Sequence, residues 1–179
     1  GLFGESPLAL RSLSALLGVF SAAAIYLFAV EAFGDDDKPT VRRWAWLPRG
    51  QEIGLVASIL IALSPLQILW ARQTRMYTLG TALVALSGWT LVRALNSSPT
   101  SWWKWGLYGV VSLLGAYTHF YVLFSIASQF VFIAAYILVR SKWHFSAMLH
   151  NPVLRPAIMA VGIVIIGWSP WIPIFLRQR

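Results

Sequence analysis

The chain contains no cysteine among its 179 residues. That excludes a disulfide framework and thiolate chemistry. Charge is scarce too, with only 11% Asp, Glu, Lys and Arg against about 25% in an average soluble domain. Apolar residues make up 58% and the mean hydropathy is +0.68. A compact globule of this size cannot hide that much apolar surface from water. A soluble domain and a disordered chain are both excluded. No P-loop, dinucleotide fingerprint or nucleophile elbow occurs, and neither an internal repeat nor a low-complexity tract. The net charge of +8 would suggest nucleic acid in a soluble protein. Here the bases stand at the ends of apolar runs, so anionic membrane lipid is the expected partner and nucleic acid is not.

The few charges are spaced informatively. Stretches free of them cover 12–30, 53–71, 76–92, 105–139 and 156–176, together 111 residues. A membrane-crossing helix needs about 20 apolar residues. Four stretches fit one helix each. The 35-residue stretch would make a rod of about 50 Å, far beyond a hydrocarbon core of about 30 Å, so it holds two helices. The expected fold is all-α, a polytopic bundle of about six membrane helices forming a single domain over 1–179.

Helix signals locate the crossings. The first runs Pro7–Phe33, with Ser6 as cap and Pro7 in the first turn. A polar loop covers 34–50. The second helix starts near Gln51 and breaks at Ser64-Pro65, where a proline either kinks the helix or starts a new one. Leu66–Tyr77 reads as a polar-aromatic elbow, followed by a helix to Leu95. After the turn at Asn96–Ser101 come helices at 102–117 and 120–140, reversing at Thr118-His119. A loop over 141–152 precedes a last helix over 153–176, disturbed by Pro170 and Pro173. Starting at Gly1 without a signal-peptide pattern, the chain reads as a piece of a longer one.

Six crossings place the loops 34–50, 93–104 and 140–155 on one side with nine Lys and Arg, against five on the other. The positive-inside rule then puts both termini outside the cytoplasm. Trp44, Trp46, Trp102, Trp103, Trp105 and Trp143 are expected as one interfacial belt, and Trp70, Trp168 and Trp171 as the other.

This orientation gathers Glu5, Arg11, Arg72, Gln73, Arg75, Tyr77, His119, Tyr121 and Arg177 on the outer face. Arginines there need a reason, and an anionic ligand at the membrane surface supplies one. Arg72 and Arg75 are three residues apart, hence neighbours on one helical face, and guanidinium groups fork onto phosphate oxygens. The plainer reading is that both reach up to ordinary headgroups. His119 stands at a helix junction and could bind a phosphate or a metal, or move a proton; its plainer role is a histidine satisfied by backbone carbonyls at a helix end. His144 and His150 lie in another loop, so no zinc ligand set is visible. Asp35-Asp36-Asp37 reads as a solvated acidic run rather than a metal-nucleotide site. One outer carboxylate, Glu5, gives no acid/base pair.

Four strings carry a resemblance: FGESPLALRSLSALLGV at 3–19, LSPLQILWARQTRMYTL at 63–79, GAYTHFYVLF at 115–124 and WSPWIPIFLRQR at 168–179. In order and separation they resemble membrane glycosyltransferases of the GT-C fold. The closest group is the dolichyl-phosphate-mannose-protein mannosyltransferase-like enzymes, with bacterial relatives that modify lipid A or lipopolysaccharide core. The resemblance implies a partial GT-C fold in the bacterial inner membrane. It also implies transfer of a sugar from a polyprenyl-phosphate donor to a lipid, glycan or protein acceptor on the periplasmic face. It places Arg75 and Tyr77 near the donor phosphate, puts His119 in the same cavity, and sets Glu5 and Arg11 beside it; Arg72 or His119 is then expected to assist Arg75.

This sequence departs from the family at Gln73, where an acidic residue is frequent. The family's catalytic acid lies in an outer loop that would precede Gly1. No catalytic residue or metal ligand is therefore assigned here, and a divalent metal belongs, if anywhere, to the longer enzyme. The alternative class is an anionic-lipid transporter or flippase, or a noncatalytic membrane scaffold. Such transporters more often show paired repeats and charges at mid-depth, which this sequence lacks.

Overall fold

The computed structural model describes residues 7–34, 49–72, 76–97, 101–171 and 173, with backbone alone at 7–11, 71 and 72. The described residues form helices joined by turns, with no strand among them. These are α1 (Pro7–Phe33), α2 (Arg49–Ala62), α3 (Pro65–Arg72), α4 (Tyr77–Leu95), α5 (Trp102–Thr118), α6 (Phe120–Arg140), α7 (Phe145–Leu149) and α8 (Leu154–Trp168), followed by a 3-10 turn at Ser169–Trp171. The all-α expectation holds, and α1 has the expected ends.

Among the described residues, four segments are long and apolar enough to cross a bilayer: Ser12–Phe33, Tyr77–Leu95, Phe120–Arg140 and Leu154–Trp171. The sequence led to six. The stretch at 53–71 divides into α2 and α3, of 14 and 8 residues, or about 21 and 12 Å. Pro65 causes the division. It lacks the N–H that would continue the ladder, and its ring would clash with the carbonyl one turn back. The expected elbow therefore contains a helix, α3. α5 has 17 residues, about 26 Å, slightly less than the hydrocarbon thickness. The expected loop over 141–152 contains α7, and the last helix gives way to the 3-10 turn at Ser169, just before Pro170.

The exterior is unlike that of a soluble protein. Leu16, Val19, Leu60, Phe124, Val131 and Ile166 are exposed, whereas Ser14, Ser21, Thr78, Ser87, Thr90 and Ser112 are buried. Lipid is the solvent that makes this stable: apolar side chains face it at no cost, and small or hydroxylated residues let helices approach. Several of these hydroxyls return to their own helix, as where Ser21 donates to the Leu17 carbonyl at 2.8 Å and Thr90 to that of Leu86 at 3.0 Å. Four long apolar helices with such a surface fit an integral membrane protein. Trp105 does not join the expected belt. It is fully buried, edge-on to Tyr108 at 6.2 Å, and its Nε1–H has no hydrogen-bond partner.

The chain divides into two compact units, Gly1–Val92 and Arg93–Arg179. In the first, α1 and α2 pack antiparallel through small residues: a Cβ on Gly50 would lie 2.9 Å from the Val30 carbonyl, and one on Gly54 would lie 2.8 Å from the Tyr26 ring. α4 runs in the direction of α1, since Ser21 also donates to the Thr78 carbonyl at 3.3 Å and the Phe28 ring lies against Gly88. α3 sits beside the first half of α1, with Gln67 against Gly18.

In the second unit α5 and α8 lie side by side in the same direction, and α6 runs back the other way. A Cβ on Gly109 would lie 3.2 Å from the backbone of Ala160; further along, Gly167 lies against Leu113. Gly162 meets nothing within 4 Å. Gly162→Ala is therefore expected to stabilise the protein by about 0.5–1 kcal/mol through helix propensity alone. Thermal unfolding in detergent checks this.

Candidate functional site

His119 is the expected site residue whose side chain is described most fully. Thr118 closes α5 by donating to the Gly115 carbonyl at 2.7 Å. His119 then adopts an extended backbone, φ −162° and ψ 142°, and a single residue separates α5 from α6. Its Nδ1 accepts from the Tyr121 N–H at 3.2 Å, so the side chain caps α6. The histidine does stand at a helix end, but its partner is a backbone N–H, where the sequence pointed to backbone carbonyls. A neutral ring accepting at Nδ1 carries its proton on Nε2, a donor suited to a phosphate oxygen.

Aromatic rings surround this turn. The imidazole stacks on Tyr121 at 4.9 Å and 7° and on Phe120 at 5.1 Å. Phe120 and Tyr121 are both exposed. Nearby on α5, Tyr117 donates to the Gly167 carbonyl at 2.5 Å and meets Trp171 edge-on at 6.3 Å. Tyr117 and Trp171 thus join the ends of α5 and α8 around the histidine turn. Sequence reasoning missed Tyr117. Its only signal was a tyrosine two residues before the reversal.

The capping bond gives a direct prediction. His119→Ala removes the acceptor and costs about 1 kcal/mol of stability, whereas His119→Asn restores it. Thermal unfolding in detergent compares the two.

In the first unit, Tyr77 opens α4 and is half-buried, with its ring 5.5 Å from that of Trp70 on α3. Arg72 ends α3 and Arg11 lies in the second turn of α1; the backbone alone is described for both. The first half of α1, α3 and the start of α4 share one end of this unit. Glu5, Gln73, Arg75 and the run Asp35–Asp37 lie outside the described residues. Tyr77 belongs to the first unit and His119 to the second.

One polar residue went unnoticed in the sequence. Gln67 is 5% exposed, and neither its Oε1 nor its Nε2 has a hydrogen-bond partner. Its exposed neighbours Leu66, Ile68 and Leu69 gave no hint of an inward-facing amide. Among the described residues no three His, Asp or Glu side chains gather as metal ligands. Compared with known protein families, curated proteins and solved structures, the chain finds no match.

Proposed function

We propose that this chain is the donor-handling part of a membrane glycosyltransferase of the GT-C kind. It takes a sugar from a polyprenyl phosphate and passes it to a lipid, glycan or protein acceptor. In this reading the membrane is the bacterial inner membrane and transfer occurs on the periplasmic face. The bundle has six crossings: the four long segments, α5, and α2 with α3 as one broken span of 22 residues, about 33 Å. The observation that carries the reading is the His119 turn. It sets an imidazole, Phe120 and Tyr121 at one end of the second unit. Lys104, Arg140 and Arg155 stand at the other end, where the positive-inside rule expects cytoplasm. The four family-like strings support it from the sequence.

A sugar on a phosphate carrier already has its leaving group. The protein must stabilise the charge that develops as the C–O bond breaks, and an acceptor hydroxyl must lose its proton. In the first unit Arg75 forks onto the phosphate, the Tyr77 hydroxyl donates to its oxygens and Arg72 adds attraction; in the second, His119 Nε2–H is a donor of the same chemistry. The resemblance adds Glu5 and Arg11, at the outer start of a helix beside the phosphate. The base comes from a carboxylate of the longer enzyme, and a divalent metal, if used, is held there too.

The test is equilibrium binding of a polyprenyl-phosphate sugar to the purified chain in nanodiscs. Sugar transfer is then measured in the longer enzyme containing it. Saturable binding competed by polyprenyl phosphate supports the reading. Binding no better than that of the uncharged polyprenol overturns it.

A further inference from the structure

The second unit contains seven Lys and Arg and no Asp or Glu; all six acidic residues of the chain fall at or before Glu52. Four of the seven bases, Lys104, Arg140, Lys142 and Arg155, fall where α5 and α8 begin and α6 ends. Asn151 fastens this end. Its Nδ2 donates to Ser141 Oγ at 3.4 Å, and its Oδ1 accepts from the Val153 N–H at 3.0 Å. The last turn of α6 is thereby tied to the start of α8, and Arg140 and Arg155 flank the tie.

Along α6 a groove of about 330 Å³ is lined by Phe132, Ala135, Tyr136, Val139 and Arg140. These positions recur every three or four residues and form one helical face. The wall is apolar until its last member. There the Arg140 guanidinium carbon lies 5.3 Å from the centre of the Tyr136 ring, within cation–π range, which holds the cation at the mouth. Just beyond, Lys142 and Trp143 have φ of 49° and 62°, a left-handed pair that turns the chain sharply. Trp143 and Phe145 are 73% and 71% exposed, and α7 has no buried residue. An apolar helix with exposed aromatics beside a cluster of bases has the chemistry of the headgroup boundary.

We propose that this end of the second unit binds one anionic phospholipid. An acyl chain lies along the α6 groove, and the phosphodiester pairs with Arg140, with Lys142 and Arg155 adding attraction. Charge complementarity selects this occupant: the unit offers no carboxylate to repel a phosphate or to neutralise the bases. The groove adds a requirement that free phosphate does not meet, an apolar tail joined to the negative head. The α6 C-terminus itself carries partial negative charge, which Arg140 offsets. The nearby Lys142 therefore supplies cationic charge that the phosphate also needs. The site is independent of sugar transfer and lies at the opposite end of the same unit from His119.

The experiment uses the purified chain in detergent, offered equal amounts of phosphatidylglycerol and phosphatidylcholine, with retained lipid read by native mass spectrometry. One phosphatidylglycerol is expected per chain, preferred about tenfold, the size of one charge-assisted contact. Arg140→Gln abolishes the preference and Arg140→Lys keeps most of it. Ala135→Trp fills the groove and removes the bound lipid. Ala135 already faces outward, so the packed helix faces are untouched. Circular dichroism confirms that each variant is folded. Millimolar glycerol phosphate leaves the lipid in place. Equal retention of the two lipids, or a preference that survives Arg140→Gln, overturns the proposal. Displacement by glycerol phosphate would reduce the site to a bare phosphate contact and also overturns it. A dimer lost in Ala135→Trp would give the groove to a second copy of the chain and overturns it as well.

Discussion

Arg75→Ala weakens binding of a polyprenyl-phosphate sugar by about ten- to a hundredfold, the loss of a charge-assisted, two-pronged contact to phosphate. The expectation rests on the proposed donor-handling role and on the sequence string Arg75-Met76-Tyr77, whose tyrosine opens α4. Arg75→Lys recovers only part of the affinity, because an ammonium is a point charge and cannot fork across two oxygens. Arg72→Ala loses less, since in this reading Arg72 contributes attraction at longer range. Titration of labelled donor into the chain in nanodiscs measures all three. Donor affinity unchanged in Arg75→Ala removes Arg75 from the phosphate. A loss that is equal for donor and for an ordinary anionic lipid would make it a headgroup anchor.

His119 refines the same question, because its structural and chemical roles are separable. Asparagine replaces the capping acceptor but not the imidazole donor. If His119→Asn unfolds like the parent protein yet binds donor more weakly, the ring acts on the ligand. If both properties follow the cap alone, the histidine only starts α6.

How far the sequence revealed these features depended on what each one rests upon. Helix ends were legible because their causes are local. Pro7 and Phe33 bound α1 as expected, and the Ser64-Pro65 break follows from a missing N–H. The reversal at Thr118-His119 was legible for another reason: the 35-residue uncharged run is too long for one crossing and must turn back within it.

Partner choice was not legible. In a soluble helix the apolar stripe shows the buried face, but here almost every face is apolar and lipid accepts all of them. The buried side is set by small residues and by rings such as Trp105, which composition had assigned to an interfacial belt. Gln67 escaped notice for the same reason, as one polar residue in a short helix with lipid-exposed neighbours. Arg75 and Glu5, on which the sequence reading leaned, lie outside the described residues; what is described is Tyr77 beside Trp70 in the first unit and, in the second, His119 with Phe120 and Tyr121.

Gly109→Leu is expected to destabilise the second unit by about 2–3 kcal/mol, the upper range for forcing bulk into a filled contact. Within a bilayer no hydrophobic effect drives helices together, so α5 and α8 are held by close packing and a few polar contacts. Gly109 is where the backbone of α8 comes up against α5. A Cβ there would lie 3.2 Å from both Cα and O of Ala160 and 3.1 Å from Ile163 Cδ1. Backbone cannot rotate out of the way, so the helices must part. Parting them also strains the contacts two turns further on, the Tyr117–Gly167 hydrogen bond and the edge contact of Tyr117 with Trp171. Those contacts frame the His119 turn, so the substitution loosens the proposed donor end from a distance of about 15 Å along the helix.

Gly106→Leu provides the contrast. One turn earlier, a Cβ meets only the end of the Met159 side chain at 3.9 Å, and methionine bends readily. It is expected to melt within about 1 kcal/mol of the parent protein. Thermal unfolding in detergent, followed by near-ultraviolet circular dichroism of the tryptophans, ranks the two variants. A Gly109→Leu protein that unfolds like the parent would show that α5 and α8 do not meet through this glycine. The pairing of their ends through Tyr117, two residues before His119, would then lose its support.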